Sequence, residues 1–460
     1  MSTLRMAPQT ENSTLCALKC TENSLAVGAV ILERLLRAGL PQGAGISVRH
    51  EVEVGEVDLL AWIQAQPSGA RAFFRSPDGE REFAWFGAAA VASEWDAPQI
   101  GAWLSDMPEA TALSWGAFDG TAGQGEWEQF GVSRITLPLI ELCRCGGRTT
   151  LAVHVVGSTA PALAALEKLN WARPTASVAL LELELEDDGD SSAWSESIDA
   201  ALAAISTGEL EKVVLARQRR YVAARPIDPF VLLGELGRRE PGAYCIAIEP
   251  QPGRAFVSVS PERLFRRSGG LVESPAIAGT CPRGPDHSAD ERLAARLLAS
   301  DKNRREHECV VRRIASALRG VCSSVRLDEH PGILRLPNLQ HLRSIVSGEL
   351  RRGVSDAAIL AALHPTPAVC GEPVDCAAAF IRAHEGFARG LFAGPIGVIS
   401  ADCTDLAVGI RSALVKGRTL TAIAGAGIVR GSDADAEWLE TARKLEAYDA
   451  LARIGGRTPA

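Results

Sequence analysis

Residues 406–451, LAVGIRSALVKGRTLTAIAGAGIVRGSDADAEWLETARKLEAYDAL, contain the pattern that decides the fold class. Apolar and small residues alternate over Leu406–Val415 with the period typical of a β-strand, and a second strand is predicted over Thr419–Gly425. Apolar residues then take helical spacing over Ala434–Leu451, which predicts an amphipathic helix. Because the strands follow each other without an intervening helix, this stretch indicates an α+β fold with antiparallel strand pairing.

Three glycines, Gly425, Gly427 and Gly431, lie between the second strand and the helix. Their spacing is GxGxxxG, whereas dinucleotide-binding folds of the Rossmann type use GxGxxG. About thirty residues follow, too few for the βαβ units that complete such a fold, and this excludes a nucleotide site of that kind. Two interpretations remain: backbone N–H groups that hold a carboxylate, or a tight turn that glycine permits.

Upstream of this stretch, strands are again grouped and helices lie between the groups. Apolar residues at spacings of three and four predict a helix of about thirty residues over Ala289–Arg319. The predicted strands in this part of the chain are Lys212–Gln218, Tyr244–Ile248, Ala255–Ser258 and Leu391–Ile399.

The bulk composition is that of a globular protein. The 460 residues carry a net charge of −8, which argues against a broad nucleic-acid-binding surface. They contain no apolar run of about 18 residues that would span a membrane. The 11 cysteines lack the spacing of a zinc or redox motif, so we expect reduced thiols and a cytoplasmic location. No heptad or apolar stripe can be distinguished from core residues, so a monomer is the default expectation.

An acidic break at Glu186–Ser192 divides the chain into two parts. Residues 1–20 are polar and are expected to be a flexible N-terminus. Residues 21–190 form an N-terminal portion with few residues suited to chemistry. We therefore expect the functional site in the remaining part, residues 191–452.

Carboxylates are concentrated in two of the predicted helices. Glu306 lies in the long helix, whereas Glu437, Glu440 and Lys444 follow one another at offsets of three and four on one face of the last helix. Carboxylates that converge from two helices offer the oxygen ligands that Mg²⁺ prefers. Surface ion pairing at the same spacing is the alternative interpretation.

Three further ionisable residues lie in or beside predicted strands. Lys212 enters an apolar strand, where burial would lower its pKa and make it a usable base, but an ordinary lysine at a strand edge has the same pattern. Glu262 follows Ser260-Pro261 at a strand end, where it could donate a proton or simply lie in a solvated turn. Arg411, in an apolar strand, requires a carboxylate partner from a ligand or from the protein.

Taken together, these segments resemble the chorismate-utilising enzymes, a family that includes isochorismate, salicylate and anthranilate synthases. The resemblance covers about residues 195–451 and is much weaker before them. It implies the fold of anthranilate synthase component I, in which antiparallel β-sheets form a sandwich core flanked by helices and the N-terminal half folds into one large chorismate-binding domain. The matching motifs, in one order, are Lys212-VVLAR, Ser260-Pro-Glu262, Ile277-Ala-Gly-Thr280, Glu306-His307, Leu339-Gln-His341, Val346-Ser-Gly348, His364-PTPAVC-Gly371, Phe392-Ala-Gly-Pro395, Gly409-Ile-Arg411, Ala424-Gly-Ala-Gly427 and Glu437-x-x-Glu440-Thr-x-x-Lys444.

The resemblance also implies a role for each candidate residue. The substrate would be chorismate, a dicarboxylate, bound with Mg²⁺ that Glu306 and Glu440 hold directly and Glu437 assists nearby or through water. Lys212 would activate a water for attack at C2, and Glu262 would protonate the departing C4 hydroxyl. The residues expected to anchor or line the substrate are Gly279, Thr280, His341, Arg411, Gly427 and Lys444.

Four positions distinguish the branches of the family. Lys212 and Ala368 favour water as the nucleophile, since anthranilate-type enzymes generally carry a non-basic residue and a threonine there. Phe392 and Ile410 favour release of isochorismate, since salicylate synthases commonly carry tyrosine and leucine. The implied activity is therefore the isomerisation of chorismate to isochorismate, for menaquinone or catecholate siderophore synthesis. Salicylate formation and an inactive chorismate-binding protein are the alternatives.

Overall fold

The bounds of the strands and helices come from a computed structural model in which residues 24–39, 47–119, 125–172, 182–336 and 339–455 are described. The segment 1–20, predicted to be flexible, lies outside these ranges. The strands are β1 Ser47–Val54, β2 Arg71–Arg75, β3 Arg81–Ala92, β4 Ala112–Gly116, β5 Ser133–Cys145, β6 Arg148–Val156, β7 Leu183–Asp187, β8 Lys212–Ala223, β9 Tyr244–Gln251, β10 Arg254–Ser260, β11 Arg263–Ser268, β12 Leu271–Pro282, β13 Cys322–Leu327, β14 Gly332–Arg335, β15 Leu339–Leu350, β16 Gly371–Glu372, β17 Pro395–Ile399, β18 Cys403–Val408, β19 Ser412–Lys416 and β20 Thr419–Ile428. The helices are α1 Ser24–Arg37, α2 Leu59–Gln64, α3 Pro98–Asp106, α4 Ala160–Lys168, α5 Ser191–Thr207, α6 Pro229–Arg239, α7 His287–Ala299, α8 Asp301–Val321, α9 Asp356–Leu363, α10 Val374–His384 and α11 Ala434–Gly455.

The strands pair antiparallel throughout the described chain and form two connected layers. Layer 1 runs in the order β1-β6-β5-β3-β2-β9-β10-β19-β20-β8-β7. Layer 2 runs in the order β5-β4-β17-β18-β11-β12-β15-β13. Strand β5 belongs to both layers, because its first residues pair with β4 and its last residues pair with β6. The predicted sandwich of antiparallel sheets is therefore confirmed.

The central strands of layer 1, β9, β10, β19 and β20, are buried on both faces, and their residues are mostly apolar or small. Neighbouring residues of one strand alternate between two hydrophobic cores: Phe74 packs in the core between the layers, and Phe73 packs in the core under the helices. The second core is closed by α1, α2, α4, α6 and α11. Their contributions include Leu32, Trp62, Leu166, Phe230 and Leu445.

Two predicted elements are each divided in the structure. The helix predicted over Ala289–Arg319 consists of α7 and α8, because Ser300 takes an extended conformation and its side chain caps the first turn of α8. The strand predicted over Leu406–Val415 consists of β18 and β19. Its prediction was wrong at Gly409–Arg411, where the φ of Arg411 is 50° and the chain leaves the ladder.

The two parts into which the sequence analysis divides the chain, before and after about residue 190, share the same sheets. Strand β2 pairs with β9, β4 pairs with β17, and β7 pairs with β8. The boundary near residue 190 stays a prediction, because no gap in packing marks it in this arrangement. Within the described ranges, no helix is both long enough and apolar enough to cross a membrane.

Candidate active site

A cavity of about 860 Å³, counted with its open mouth, lies between the two layers and is bordered by α8 and α11. Every residue that the sequence assigns to the site lines it, except Glu437. They are Lys212, Glu262, Gly279, Thr280, Glu306, His341, Ala368, Phe392, Ile410, Arg411, Gly427, Glu440 and Lys444. The motifs are thus brought together although they are spread over more than half of the chain.

Lys212 is the first residue of β8, as predicted, and its side chain is only 2% exposed. Its Nζ donates to Oε1 of Glu306 on α8 at 2.8 Å. Strand β16 fixes the backbone at this point, where Glu372 is paired with Lys212. Gly371 has a φ of 140°, and a Cβ there would overlap the carbonyl oxygen of Lys212. The glycine therefore permits the close pairing that places the lysine on the cavity wall.

Gly427 lies within β20, directly beside the Lys212–Glu306 pair. A Cβ at this position would lie 2.8 Å from Oε1 of Glu306 and 3.0 Å from Cε of Lys212. The strand continues to Ile428, so the tight turn considered from the sequence does not occur at Gly425 or Gly427. The absent side chain instead leaves room for an ion pair and, next to it, for a ligand.

Glu262 lies in the two-residue connection between β10 and β11, as Ser260-Pro261 predicts. Ser260 Oγ accepts a hydrogen bond from the Glu262 backbone N–H at 3.2 Å, which holds the connection. Burial raises the pKa of the Glu262 carboxyl to about 7, while the positive charges of Lys212 and Lys444 act in the opposite direction. Near neutral pH, Glu262 is therefore protonated in a large fraction of molecules, as a general acid must be.

The acidic residues of α11 have different environments. Burial alone would raise the pKa of Glu440, but Lys444, whose Nζ lies 2.8 Å from Oε1 of Glu440, holds it below its ordinary value. Glu437 lies one turn earlier and pairs with Lys302 at 3.2 Å. Burial, together with the negative charge of Glu440, raises the pKa of Glu437. Glu437 therefore lies close to Glu440 but outside the cavity lining.

Arg411 is held in an unusual backbone conformation at the cavity wall. Both non-glycine residues with positive φ in the described chain, Arg411 at 50° and Ala393 at 63°, line the cavity. Such conformations cost about 1–3 kcal/mol each and cluster at functional sites. Burial lowers the pKa of Arg411, only partly opposed by Glu240, whose Oε1 lies 3.8 Å from Nη1. The guanidinium thus has a distant protein partner and can bind a ligand carboxylate.

His341 and Thr280 form the wall on the layer 2 side. The Nδ1 of His341 and the Oγ1 of Thr280 are 3.1 Å apart. Burial and the charges of Lys444 and Arg411 lower the pKa of His341 to about 3, so its imidazole is neutral. Gly279 has a φ of 74°, and the backbone N–H of Thr280 donates to Asn303 Oδ1 at 3.3 Å.

Ala368, Phe392 and Ile410 form an apolar part of the wall, which Arg389 holds in place. Arg389 is buried and ion-paired with Glu385. Its guanidinium donates to the carbonyl oxygens of Val214 and Val369, each at 2.8 Å. The sequence analysis missed this residue, because Glu385 and Arg389 follow the end of α10 and their spacing of four has no meaning for pairing outside a helix.

Within the described ranges, no three side chains of His, Cys, Asp or Glu are grouped closely enough to form a complete metal site. The predicted ligands Glu306 and Glu440 line the cavity from α8 and α11, and each bonds a lysine. His307, next to Glu306, faces β15 instead, where its Nε2 lies 2.9 Å from Ser344 Oγ. The carboxylates can thus contribute ligands to a metal, but a bound substrate or water would have to supply the others.

Comparison with known proteins identifies relatives over most of the chain. Isochorismate synthase MenF of Escherichia coli (strain K12) is 32% identical over 406 residues, which cover 86% of this chain and 91% of the relative. Isochorismate synthase 2, chloroplastic, of Arabidopsis thaliana is 36% identical over 339 residues, which cover 70% of this chain. The match spans 60% of the plant protein, so less than two thirds of that relative is represented here.

Solved structures agree with this comparison. The structure of MenF, the menaquinone-specific isochorismate synthase from Escherichia coli, matches with a TM-score of 0.83 at 29% identity, covering 93% of this chain and 99% of that one. Anthranilate synthase component I from Streptococcus pneumoniae TIGR4 matches with a TM-score of 0.64 at 19% identity, covering 81% and 92%, and has the same fold. A sequence model of the family described as chorismate binding enzyme matches residues 40–451. The chain therefore belongs to the chorismate-binding enzyme family.

Proposed function

We propose that this chain is an isochorismate synthase, an isomerase that converts chorismate reversibly to isochorismate. The observation that carries the proposal is the presence of Lys212 and Glu262 in one cavity, with the pKa of Glu262 raised to about 7. A base and a proton donor are thereby available to one bound ring. The names of the relatives support the same activity.

In the proposed reaction, the hydroxyl group at C4 is lost and a hydroxyl group is gained at C2. The side chain of Lys212 accepts a proton from a water as the oxygen of that water bonds to C2. The two ring double bonds shift by one position, the C4–O bond breaks, and Glu262 gives its proton to the departing oxygen, which leaves as water. Because one water enters and one leaves, substrate and product are isomers.

The two carboxylates of chorismate need anchors of positive charge or free N–H groups. Arg411 suits one of them, because its protein partner is distant and its planar guanidinium can bind a carboxylate through two hydrogen bonds. Lys444 and the backbone beside Gly427 suit the same role for the other carboxylate. The neutral His341 and the apolar Phe392 and Ile410 then bound the ring.

We further propose that Mg²⁺ takes part, held by Glu306 and Glu440 with help from Glu437. The fit rests on charge: Glu440 is close enough to Glu437 for its negative charge to raise the pKa of Glu437, and carboxylate oxygens are the preferred ligands of this ion. When bound, the ion would supply positive charge that orients a carboxylate of the substrate.

Removing divalent cations is expected to abolish activity, and adding Mg²⁺ is expected to restore it. Calorimetry provides a readout apart from turnover: Glu306→Gln and Glu440→Gln should each weaken Mg²⁺ binding at least tenfold, the lower end of the effects of altered metal sites. The matched control is Glu308→Gln on the same helix, whose exposed carboxylate pairs with Arg304. Full activity after thorough chelation, or unchanged binding in both variants, would contradict the metal assignment.

Two wall residues are expected to set the product. Phe392→Tyr combined with Ile410→Leu should shift part of the product from isochorismate to salicylate, since a hydroxyl beside the ring would assist elimination of the enolpyruvyl group. Product ratios measured by chromatography check this, with Phe380→Tyr outside the cavity as the control. An unaltered ratio in the double variant would place the choice of product elsewhere.

Incubation with chorismate and Mg²⁺, followed by chromatography, tests the proposed function itself. Isochorismate at equilibrium with chorismate is the expected result. Salicylate with pyruvate would instead identify a salicylate synthase. Bound but unchanged chorismate would identify an inactive binding protein.

We propose menaquinone synthesis as the destination of the product. The match to the menaquinone-specific structure has the higher TM-score, 0.83 against 0.69 for a putative 2,3-dihydroxybenzoate-specific isochorismate synthase from Bacillus anthracis. This supports menaquinone rather than siderophore synthesis. A monomeric state and a cytoplasmic location stay predictions from the sequence.

A further inference from the structure

A second cavity lies against the outer side of the Lys212–Glu306 pair. It is wide and open, about 1360 Å³ with its mouth, and it shares both residues of that pair with the inner cavity. We call it the outer cavity. Its other lining comes from the end of α5, the first half of α8 and the turn after β20. The ion pair is therefore the wall that separates the two spaces.

Most charged side chains around the outer cavity neutralise one another. These side chains form four ion pairs: Lys212–Glu306, Lys302–Glu437, Arg312–Glu211 and Arg304–Glu308.

Two arginines that line the outer cavity, Arg305 and Arg430, belong to none of these pairs. Across the described ranges, Arg305 and Arg430 have no ion pair and no side-chain hydrogen bond, and both are exposed. The outer cavity thus has a surplus of two positive charges in a chain whose net charge is −8.

Both arginines are attached to well-held backbone. Arg305 lies in the second turn of α8, one residue before Glu306. Arg430 lies in a turn where the backbone N–H of Val429 donates to Ser432 Oγ at 3.2 Å and the backbone N–H of Ser432 donates to the Val429 carbonyl at 3.0 Å. The held backbone keeps both guanidinium groups near the mouth. Neither group is engaged by a protein side chain within the described ranges, so each is available to a ligand.

We propose that the outer cavity is the path by which the anionic substrate reaches the site, and that Arg305 and Arg430 attract it there. The proposal rests on the proposed function, because a dicarboxylate is the ligand that two unpaired arginines would favour. A local positive field on a negatively charged protein concentrates anions at the mouth and speeds their association. To enter the inner cavity, the substrate has to separate the Lys212–Glu306 pair, which packs directly against Gly427.

The test compares Arg305→Gln/Arg430→Gln with the unaltered chain at low and high salt. At about 20 mM NaCl, kcat/KM for chorismate should fall on the order of fivefold, while kcat changes less than about twofold. At about 500 mM NaCl the difference should disappear, because salt screens exposed charges. Arg305→Glu/Arg430→Glu should give a larger loss with the same dependence on salt.

The matched control is Arg225→Gln/Arg352→Gln, which removes the same charge from exposed arginines outside both cavities. It should leave kcat/KM unchanged. Chorismate binding is also measured by calorimetry with and without the Arg305 and Arg430 changes in a Glu262→Gln background, so the test does not depend on turnover. Equal affinities and equal kcat/KM at low salt would overturn the proposal. Chorismate binding that the Arg305 and Arg430 changes weaken at low salt but not at high salt, without formation of isochorismate, would support this path and contradict the proposed function.

Discussion

Replacing Lys212 with alanine is expected to lower kcat by about 10²–10⁴-fold, the range that general bases contribute. The amine is 2% exposed and is held at the cavity wall by Glu306, so water entering the vacated space cannot reproduce its position. Steady-state kinetics with chorismate measure the loss. Lys212→Met, which keeps most of the side-chain volume, should lose activity to the same extent.

Two measurements separate catalysis from folding in these variants. Thermal unfolding should remain cooperative, and calorimetry should still detect chorismate. Lys416→Ala, at an exposed lysine, is the control and should retain full activity. Full activity in Lys212→Ala would remove this residue from the mechanism.

Glu262→Gln is expected to have the second large effect, again about 10²–10⁴-fold on kcat. Glutamine has nearly the same shape but no acidic proton to give to the departing C4 oxygen. The fold should be unaffected, since the carboxyl of Glu262 is buried and carries a raised pKa, and a neutral amide is tolerated where a neutral acid is present. Glu329→Gln, at an exposed position, is the matched control.

The pH dependence provides an independent check on Glu262. Burial raises its pKa to about 7, and the acting form is the protonated one. The value of kcat/KM, which reports ionisations of the free enzyme, should therefore decrease as the pH rises through about 7. In Glu262→Gln this decrease should be missing from the residual activity. A wild-type profile without it would contradict the assignment of Glu262 as the acid.

Local sequence signals and the family resemblance together were sufficient to predict the residues that line the cavity, except for Glu437. Lys212 at a strand start, Glu262 after a proline at a strand end, and Glu440 and Lys444 one helical turn apart all have local signals. Antiparallel pairing was also predictable, because strands follow one another without crossover helices. Local signals do not show which segments lie next to one another in the folded chain. The family resemblance predicted that these segments share one site.

Three features could not be predicted correctly from period and spacing. Arg411 fits an apolar strand by pattern, but Gly409 and a φ of 50° turn the chain out of the ladder there. Glu437 shares a helical face with Glu440, yet the cavity lining includes only Glu440. Glu437 lies one turn away and pairs with Lys302 on another helix. Arg389 acts through the backbone carbonyls of Val214 in β8 and of Val369 in a turn, and the residues next to Arg389 in the sequence do not indicate these contacts.

The central claim is that water adds at C2 of a ring held between Lys212 and Glu262 while the C4 oxygen leaves. Turnover of chorismate in H₂¹⁸O, followed by mass spectrometry of the product, tests it most directly. The account predicts isochorismate that carries one ¹⁸O in its C2 hydroxyl. Isochorismate without the label would mean that the hydroxyl migrates within the molecule, and it would contradict the account.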